Sequence, residues 1–252
     1  MPSTPAVLIP ARRAATRLPD KLLLAEHGEP LIATVARRAA LAYGPQAVLV
    51  CADDPALIEA VRPTGIAARL TSPHHASGTE RIAEAAATLP QAVVVNVQGD
   101  EPEIDPAHIR LVAELLERHP WAGMATLAVP AGPEAQASPH QVKVVIGNEG
   151  RALWFTRAPA PWDREAGGPA ARTHRHLGIY AYRREVLLGY AALPRTPLED
   201  LERLEQLRAL ANGIGIVVAV VERAAPGIDT RADYEAFLAR WRARAAAQDR
   251  AP

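Results

Sequence analysis

The sequence predicts an α/β protein built on an open, mainly parallel sheet flanked by helices, with a smaller antiparallel extension. Two observations carry the parallel part. Short β-branched runs alternate with longer helical patterns through the first half, and Val93-Val-Val-Asn-Val97 is a continuous apolar run of the kind buried on both faces of a sheet. A third observation carries the extension: from about Met124 four strand-like runs follow one another without long helices between them.

In chain order, a strand over 6–9 ends in Pro10, a helical pattern covers 31–42, and a strand covers 47–51. Asp53-Asp54-Pro55 is a helix start, with proline where a missing N–H costs nothing. After a strand over 67–70, Ser77-Gly-Thr-Glu80 matches a capping box and opens a helix through 89. The central strand over 93–97 leads to an amphipathic helix over 106–118. The extension takes the runs at 124–129, 142–146, 153–155 and 177–182, and the Pro-, Gly- and Ala-rich stretch 158–173 between them reads as a mobile, lid-like loop. Helices over 199–210 and 234–247 enclose a last strand over 216–221. No repeat or linker divides the chain, so the expectation is one domain over 1–252 with an inserted antiparallel subregion at about 124–198. Open parallel sheets bind ligands beyond the C-terminal ends of their strands, which directs attention to the residues after Ile9, Leu70 and Val97.

A chain of 252 residues can bury a core without disulfide or metal. Its 28 basic residues balance its 28 acidic ones, which argues against a bulk nucleic-acid or membrane-surface binder. Only Lys21 and Lys143 are lysines, the other 26 cations being arginine, so a position that keeps lysine draws interest. The one cysteine, Cys51, lies in an apolar run and reads as a core thiol in a reducing compartment. The N-terminus lacks the pattern of a secretory leader and no apolar run approaches 18 residues, so a cytoplasmic protein without a membrane span is expected.

Chemistry concentrates in three places. The loop Pro10-Ala-Arg-Arg-Ala-Ala-Thr-Arg-Leu-Pro-Asp-Lys21 puts Arg12, Arg17 and Lys21 directly after the first strand. Planar guanidinium forks and a compact ammonium at this spacing could curl around a polyphosphate; a solvated basic turn is the plainer alternative. Asn96-Val-Gln-Gly-Asp-Glu-Pro102 puts a carboxylate pair beyond the central strand, where Asp100 could hold a hard cation or simply cap a turn. Pro226-Gly-Ile-Asp-Thr230 offers Asp229 after the last strand, as a second ligand or as a cap on the next helix. No dinucleotide fingerprint, phosphate-binding GxxxxGK[ST] loop, nucleophile elbow or zinc spacing is present.

These motifs, with His75-Ala-Ser-Gly-Thr-Glu-Arg81, Val142-Lys-Val-Val145, Phe155-Thr-Arg157, Pro161-Trp-Asp-Arg164, Arg175-His-Leu-Gly-Ile-Tyr180, Pro197-Leu-Glu199 and Leu204-Glu-Gln-Leu-Arg208, resemble the 3-deoxy-manno-octulosonate cytidylyltransferase family in order and over nearly the whole chain. The resemblance implies a nucleotide-diphospho-sugar transferase-like fold. It also implies a reaction in which CTP and Mg²⁺ activate an acidic eight-carbon sugar, 3-deoxy-D-manno-octulosonate (Kdo), for lipopolysaccharide synthesis. By motif match, Arg12, Arg17 and Lys21 would hold the triphosphate with Thr16 assisting, while Pro10, Ala11, Ser77 and Gln98 would lie along the cytidine. Asp100 and Asp229 would bind Mg²⁺, and Arg157, His176, Tyr180, Glu205 and Gln206 would surround the sugar. Lys21, Arg12, Asp100 and Asp229 are the expected catalytic set. The resemblance also implies a homodimer, with the inserted subregion serving sugar binding and dimerisation.

Chemistry of this kind rests on positioning and charge stabilisation, since a triphosphate must approach an acidic sugar. His176 and Tyr180 share a strand face at even spacing, although a core histidine is the plain alternative. Glu205 and Gln206, adjacent on an expected helix, would both reach a cleft only from a helix edge. Lys143 has no expected catalytic role and reads as a structural charge partner. The chain departs from the family pattern at Ala15, where a serine is usual, and at Asp20, where glycine is usual. An acid at position 20 opposes a triphosphate unless it points away or pairs with a neighbouring arginine. A related sugar such as amino-Kdo, or a non-catalytic nucleotide-sugar binding protein, are the other readings.

Overall fold

The first strand, β1 (Ala6–Ala11), alternates its side chains between two separate cores in a computed structural model that describes residues 4–170 and 173–248. Val7, Ile9 and Ala11 face one core while Ala6 and Leu8 face the other, the period-two pattern of a strand covered on both sides. The chain continues through α1 (Leu31–Tyr43), β2 (Val48–Ala52), α2 (Pro55–Val61), β3 (Ala67–Leu70), α3 (Gly78–Ala86), β4 (Val93–Asn96) and α4 (Pro106–Arg118). Asp54 caps α2 by accepting from the Ala56 N–H at 2.8 Å, with Pro55 following it. Ser77 accepts from Glu80 N to cap α3; the reciprocal contact from Glu80 lands on the Ala76 N–H at 2.9 Å. Cys51 is a core residue, its thiol pushed up to about 12 by burial.

The second half adds β5 (Ala122–Ala131), α5 (Pro133–Ala137), β6 (Lys143–Ile146), β7 (Ala152–Thr156), β8 (Trp162–Asp163), β9 (Gly168–Pro169), β10 (Thr173–Arg183), α6 (Arg184–Gly189), α7 (Pro197–Glu202), α8 (Gln206–Ala211), β11 (Gly215–Val220) and α9 (Arg231–Gln248). The sheet runs β11-β5-β10-β4-β1-β2-β3, with β6 and β7 carried alongside β10. Antiparallel pairing is therefore not confined to an appendage: β10 runs antiparallel between β4 and β5, in the middle of an otherwise parallel array. The chain leaves β1 for β2 and β3 on one side and returns to β4 on the other, which opens a crevice at the C-terminal ends of β1 and β4.

Two expectations change. The stretch 158–173 carries the β8–β9 hairpin, and its ends are tied: Gln136 Nε2 donates to Ala160 O and Ala170 O, and Thr173 Oγ1 donates to Ala160 O at 2.7 Å. Residues 171 and 172 lie outside the described residues. The helix expected over 199–210 is two helices, α7 and α8, broken where Arg203 takes left-handed φ 54° and ψ 46°. Tertiary contacts override local propensity there, because Arg157 Nε donates to the Glu202 carbonyl that a continuing helix would use. Among the described residues no helix is long and apolar enough to cross a membrane.

Candidate active site

The loop from Arg12 to Lys21 leaves β1 and bends over the end of β4. Together with the start of α3 it bounds a cleft of about 300 Å³. Pro10, Arg12, Thr16, Arg17, Lys21, Ser77, Gln98, Asp100 and Asp229 all line this cleft, so residues up to 219 positions apart in sequence meet where strand order reverses. Lys21 Nζ lies 2.5 Å from Asp100 Oδ2, 2.8 Å from Ile228 O and 3.5 Å from Asp229 Oδ1. Arg17 Nη2 reaches Asp229 Oδ1 at 2.8 Å. Arg12 makes no ion pair among the described residues.

The alternatives for the two aspartates are resolved by their partners. Thr230 accepts from the Asp233 N–H at the start of α9 and Asp233 accepts from Thr230 N, so Asp229 is not the cap and its carboxylate faces Arg17 and Lys21. Asp100 accepts the Ile228 N–H on its carbonyl, leaving its carboxylate to Lys21. Two carboxylates meeting at one ammonium suit a hard cation, which takes oxygen ligands and needs only one or two from protein when phosphates supply the rest. Among the described residues no larger cluster of acidic, His or Cys side chains could hold a metal by itself. Next to Asp100, burial and then the Asp100 charge push Glu101 up to about 8.

A second cleft of about 260 Å³ adjoins the first, and Gly78 and Gln98 line both. Tyr180, Glu205 and Gln206 line it as expected, with Thr79, Asn96, Tyr182, Tyr190 and Arg203 beside them. Gln206 starts α8 and Glu205 precedes it, so the break at Arg203 is what brings both to the cleft. Glu205 accepts from Thr79 Oγ1 at 2.8 Å, which ties this wall to α3. The Tyr180 hydroxyl is buried without a hydrogen-bond partner among the described residues. Buried hydroxyls are normally paired, so this group is an unsatisfied donor and acceptor on a residue that lines the cleft.

Three expected residues line neither cleft. Ala11 is fully buried, its side chain turned into the core beneath β1. Arg157 is engaged elsewhere: Nε donates to Glu202 O at 2.7 Å and Nη1 to Pro139 O at 2.9 Å. His176 pairs its Nε2 with Thr126 Oγ1 at 3.0 Å and packs between Phe155 and Tyr180, each ring centre 5.2 Å away. Burial first, and the Arg175 charge second, push its pKa down to about 3. The ring is half-buried and stacks against Tyr180, which itself lines the second cleft. Conversely, Arg81 lines the first cleft, 2% exposed, with Nη1 donating to Thr71 Oγ1 at 2.7 Å and Ser72 O at 3.1 Å. Its place in the His75–Arg81 motif was the available signal.

Asp20 takes left-handed φ 51°, and its carboxylate accepts from Arg13 Nε at 2.9 Å, away from the cleft. Arg13 also reaches Asp54 at 3.1 Å and takes Asp53 Oδ1 on its backbone N–H at 3.0 Å. The acid at position 20 is thus neutralised by the neighbouring arginine and clips the cation loop to the start of α2.

A cation loop facing two carboxylates at the switch point of a parallel sheet, with a polar cleft opening beside it, defines an α/β protein of the nucleotidyltransferase kind. Residues 6–217 match the family described as Cytidylyltransferase. The chain is 47% identical over 243 residues to a 3-deoxy-manno-octulosonate cytidylyltransferase from Acidithiobacillus ferrooxidans, covering 91% of this chain and 96% of that protein. It is 47% identical over 247 residues to the protein of that name from Methylococcus capsulatus, covering 93% and 96%. A solved structure of CMP:2-keto-3-deoxy-manno-octonic acid synthetase complexed with CTP superposes with a TM-score of 0.91 at 38% identity, covering 96% of this chain and 100% of that one. The chain belongs to the 3-deoxy-manno-octulosonate cytidylyltransferase family.

Proposed function

We propose that this chain transfers the CMP moiety of CTP to Kdo, giving CMP-Kdo and pyrophosphate. The observation that carries the reading is the pair of clefts joined at Gly78 and Gln98, one cationic and the other lined by hydroxyl, carboxamide and carboxylate groups. The names of the 47% identical relatives and of the CTP-bound neighbour support it.

In this reading the triphosphate lies along Arg12, Thr16, Arg17 and Lys21, with the cytidine toward Pro10, Ser77 and Gln98. Arg17 and Lys21, now paired with Asp229 and Asp100, are available to phosphate oxygens entering between them. Kdo sits in the second cleft against Tyr180, Glu205 and Gln206, and the Tyr180 hydroxyl finds its missing partner on the sugar. The sugar's anomeric hydroxyl gives up its proton to solvent and its oxygen forms the new bond to the α-phosphorus as the bond to the β-phosphate oxygen breaks, and Arg12, Arg17 and Lys21 stabilise the leaving pyrophosphate. Asp100 and Asp229 would hold Mg²⁺, which when bound offsets phosphate charge and lowers the pKa of the attacking hydroxyl.

A homodimer is part of the proposal, supported by the exposed apolar side chains of Leu153, Trp154 and Trp162. So are a role in lipopolysaccharide synthesis and a cytoplasmic location. The deciding measurement is pyrophosphate release with each of four NTPs, Mg²⁺ and a panel of acidic sugars including amino-Kdo. Release confined to CTP with Kdo is the expected result; no release with any pair overturns the enzyme reading.

A further inference from the structure

Lys143, one of only two lysines in the chain, is completely buried in β6. No carboxylate accepts from it among the described residues. Its Nζ donates instead to three backbone carbonyls: Ser138 at 2.8 Å, Gln141 at 2.7 Å and Arg157 at 2.6 Å. An unpaired buried ammonium is unfavourable unless its protons are all bonded, and here each has an acceptor. Three acceptors converging on a point suit a tetrahedral ammonium; a guanidinium spreads its donors in a plane and does not match them. This accounts for a lysine here in a chain whose cations are nearly all arginine.

What the ammonium joins matters more than its own burial. It fixes the turn before β6 to the residue that follows β7, Arg157. Residues 156 and 157 in turn hold Glu202: Thr156 Oγ1 donates to Oε1 at 2.6 Å, the Arg157 N–H donates to Oε2 at 2.9 Å, and Arg157 Nε donates to the Glu202 carbonyl at 2.7 Å. Glu202 ends α7, and the next residue is the left-handed Arg203 that breaks the helix and turns Glu205 and Gln206 into the second cleft. Neither Lys143 nor Glu202 lines either cleft.

We propose that Lys143 and Glu202 are positioning residues for the acidic-sugar cleft, the buried ammonium holding Arg157 and Arg157 holding the turn that presents Glu205 and Gln206. The inference rests on the reading of that cleft as the sugar site.

The test varies Kdo and CTP separately in pyrophosphate-release assays on the full chain and on Glu202→Gln, Lys143→Arg and Lys143→Met. Glu202→Gln places an amide donor against the donors it must accept. It is expected to raise the KM for Kdo about tenfold while the KM for CTP stays within about twofold. Lys143→Arg keeps the charge without the convergence and is expected to give the same selective rise. If Lys143→Met does not fold, the other two variants carry the test. An unchanged Kdo KM in a folded Glu202→Gln protein, or an equal rise for both substrates, overturns the proposal. Amide exchange over 204–207 reads the positioning without turnover: it should quicken about tenfold in Glu202→Gln, and unaltered exchange overturns the proposal. Failure of the functional reading is separate, since it would appear as no release by the unmodified chain.

Discussion

The Nζ of Lys21 lies 2.5 Å from Oδ2 of Asp100, and the same ammonium reaches toward Asp229 across the mouth of the first cleft. The lysine sits only 14% exposed, held by the Ile228 carbonyl as well, so the two carboxylates are aligned around its ammonium. The cation loop is separately anchored by Arg13 and Arg17, so the proposed metal-binding role of Asp100 can be tested apart from the fold. Asp100→Asn is expected to lower kcat by a factor of about 10² or more in the presence of Mg²⁺ while the melting temperature barely moves. Steady-state turnover and thermal melting check this, and turnover within a few-fold of the unmodified chain would place the reacting metal elsewhere.

Asp20 sets a smaller effect. Its left-handed backbone disfavours a non-glycine residue by about 1 kcal/mol, whereas its ion pair with Arg13 is exposed and screened by solvent. Asp20→Gly should therefore leave stability within about 1 kcal/mol, by urea denaturation, and leave the CTP KM unchanged or lower. A large rise in that KM would mean that the Arg13 clip holds the cation loop in its binding shape.

Much of this architecture was legible because it rests on local signals. The strand Ala67–Leu70 and the helix Pro106–Arg118 fall where pattern and caps put them, and Asp54-Pro55 starts a helix as its chemistry requires. The cation loop and both aspartates are visible in the sequence as charge just beyond strand ends. The break at Arg203 was not, since residues 199–210 carry good helical pattern and the interruption comes from Arg157, 46 positions away from it in sequence. For the same reason the sequence does not show that Arg157 and His176 turn to Glu202 and Thr126: a motif gives a residue's neighbours in sequence, but a competing carbonyl or hydroxyl from another segment decides which way the side chain turns. Arg81 was hidden in the opposite sense, as a charge in a helix whose burial depends on Thr71 and Ser72.

Glu199 and Arg208 form a buried pair, 3% and 8% exposed, that clamps α7 to α8 across the break, with Arg208 Nε donating to Glu199 Oε2 at 2.8 Å. Arg208 also stands 5.3 Å over the ring of Tyr190 in the second cleft. Removing Arg208 leaves the buried Glu199 carboxylate only the longer 3.7 Å contact to the exposed Arg195, so Arg208→Met should lose about 3–5 kcal/mol of stability. The double change Glu199→Leu with Arg208→Met should recover much of the loss, because the desolvation of both charges is removed together. Denaturant titration of the single and double variants checks this, and simple addition of the two losses would show that the pair is not coupled.

His176 gives the molecule an acid sensitivity that can be isolated. Its imidazole, held down to about 3 by burial and by Arg175, stays neutral in the folded chain while an unfolded histidine titrates near 6.5. The unfolded chain therefore binds more protons as pH falls below about 6.5, and stability drops through that window by up to about 1.4 kcal/mol per pH unit from this one group. Above about 6.5 both states are neutral at this position and the contribution is flat. His27 and His108 are lowered by burial as well, and remain in both proteins of a comparison. His176→Gln keeps an amide that can donate to Thr126 but cannot titrate. Its stability should fall less steeply than that of the unmodified chain between about pH 6 and about pH 4, with parallel curves above about pH 6.5. Urea midpoints measured across that range check the prediction, and identical slopes would mean that the ring takes up its proton without leaving its place beside Tyr180.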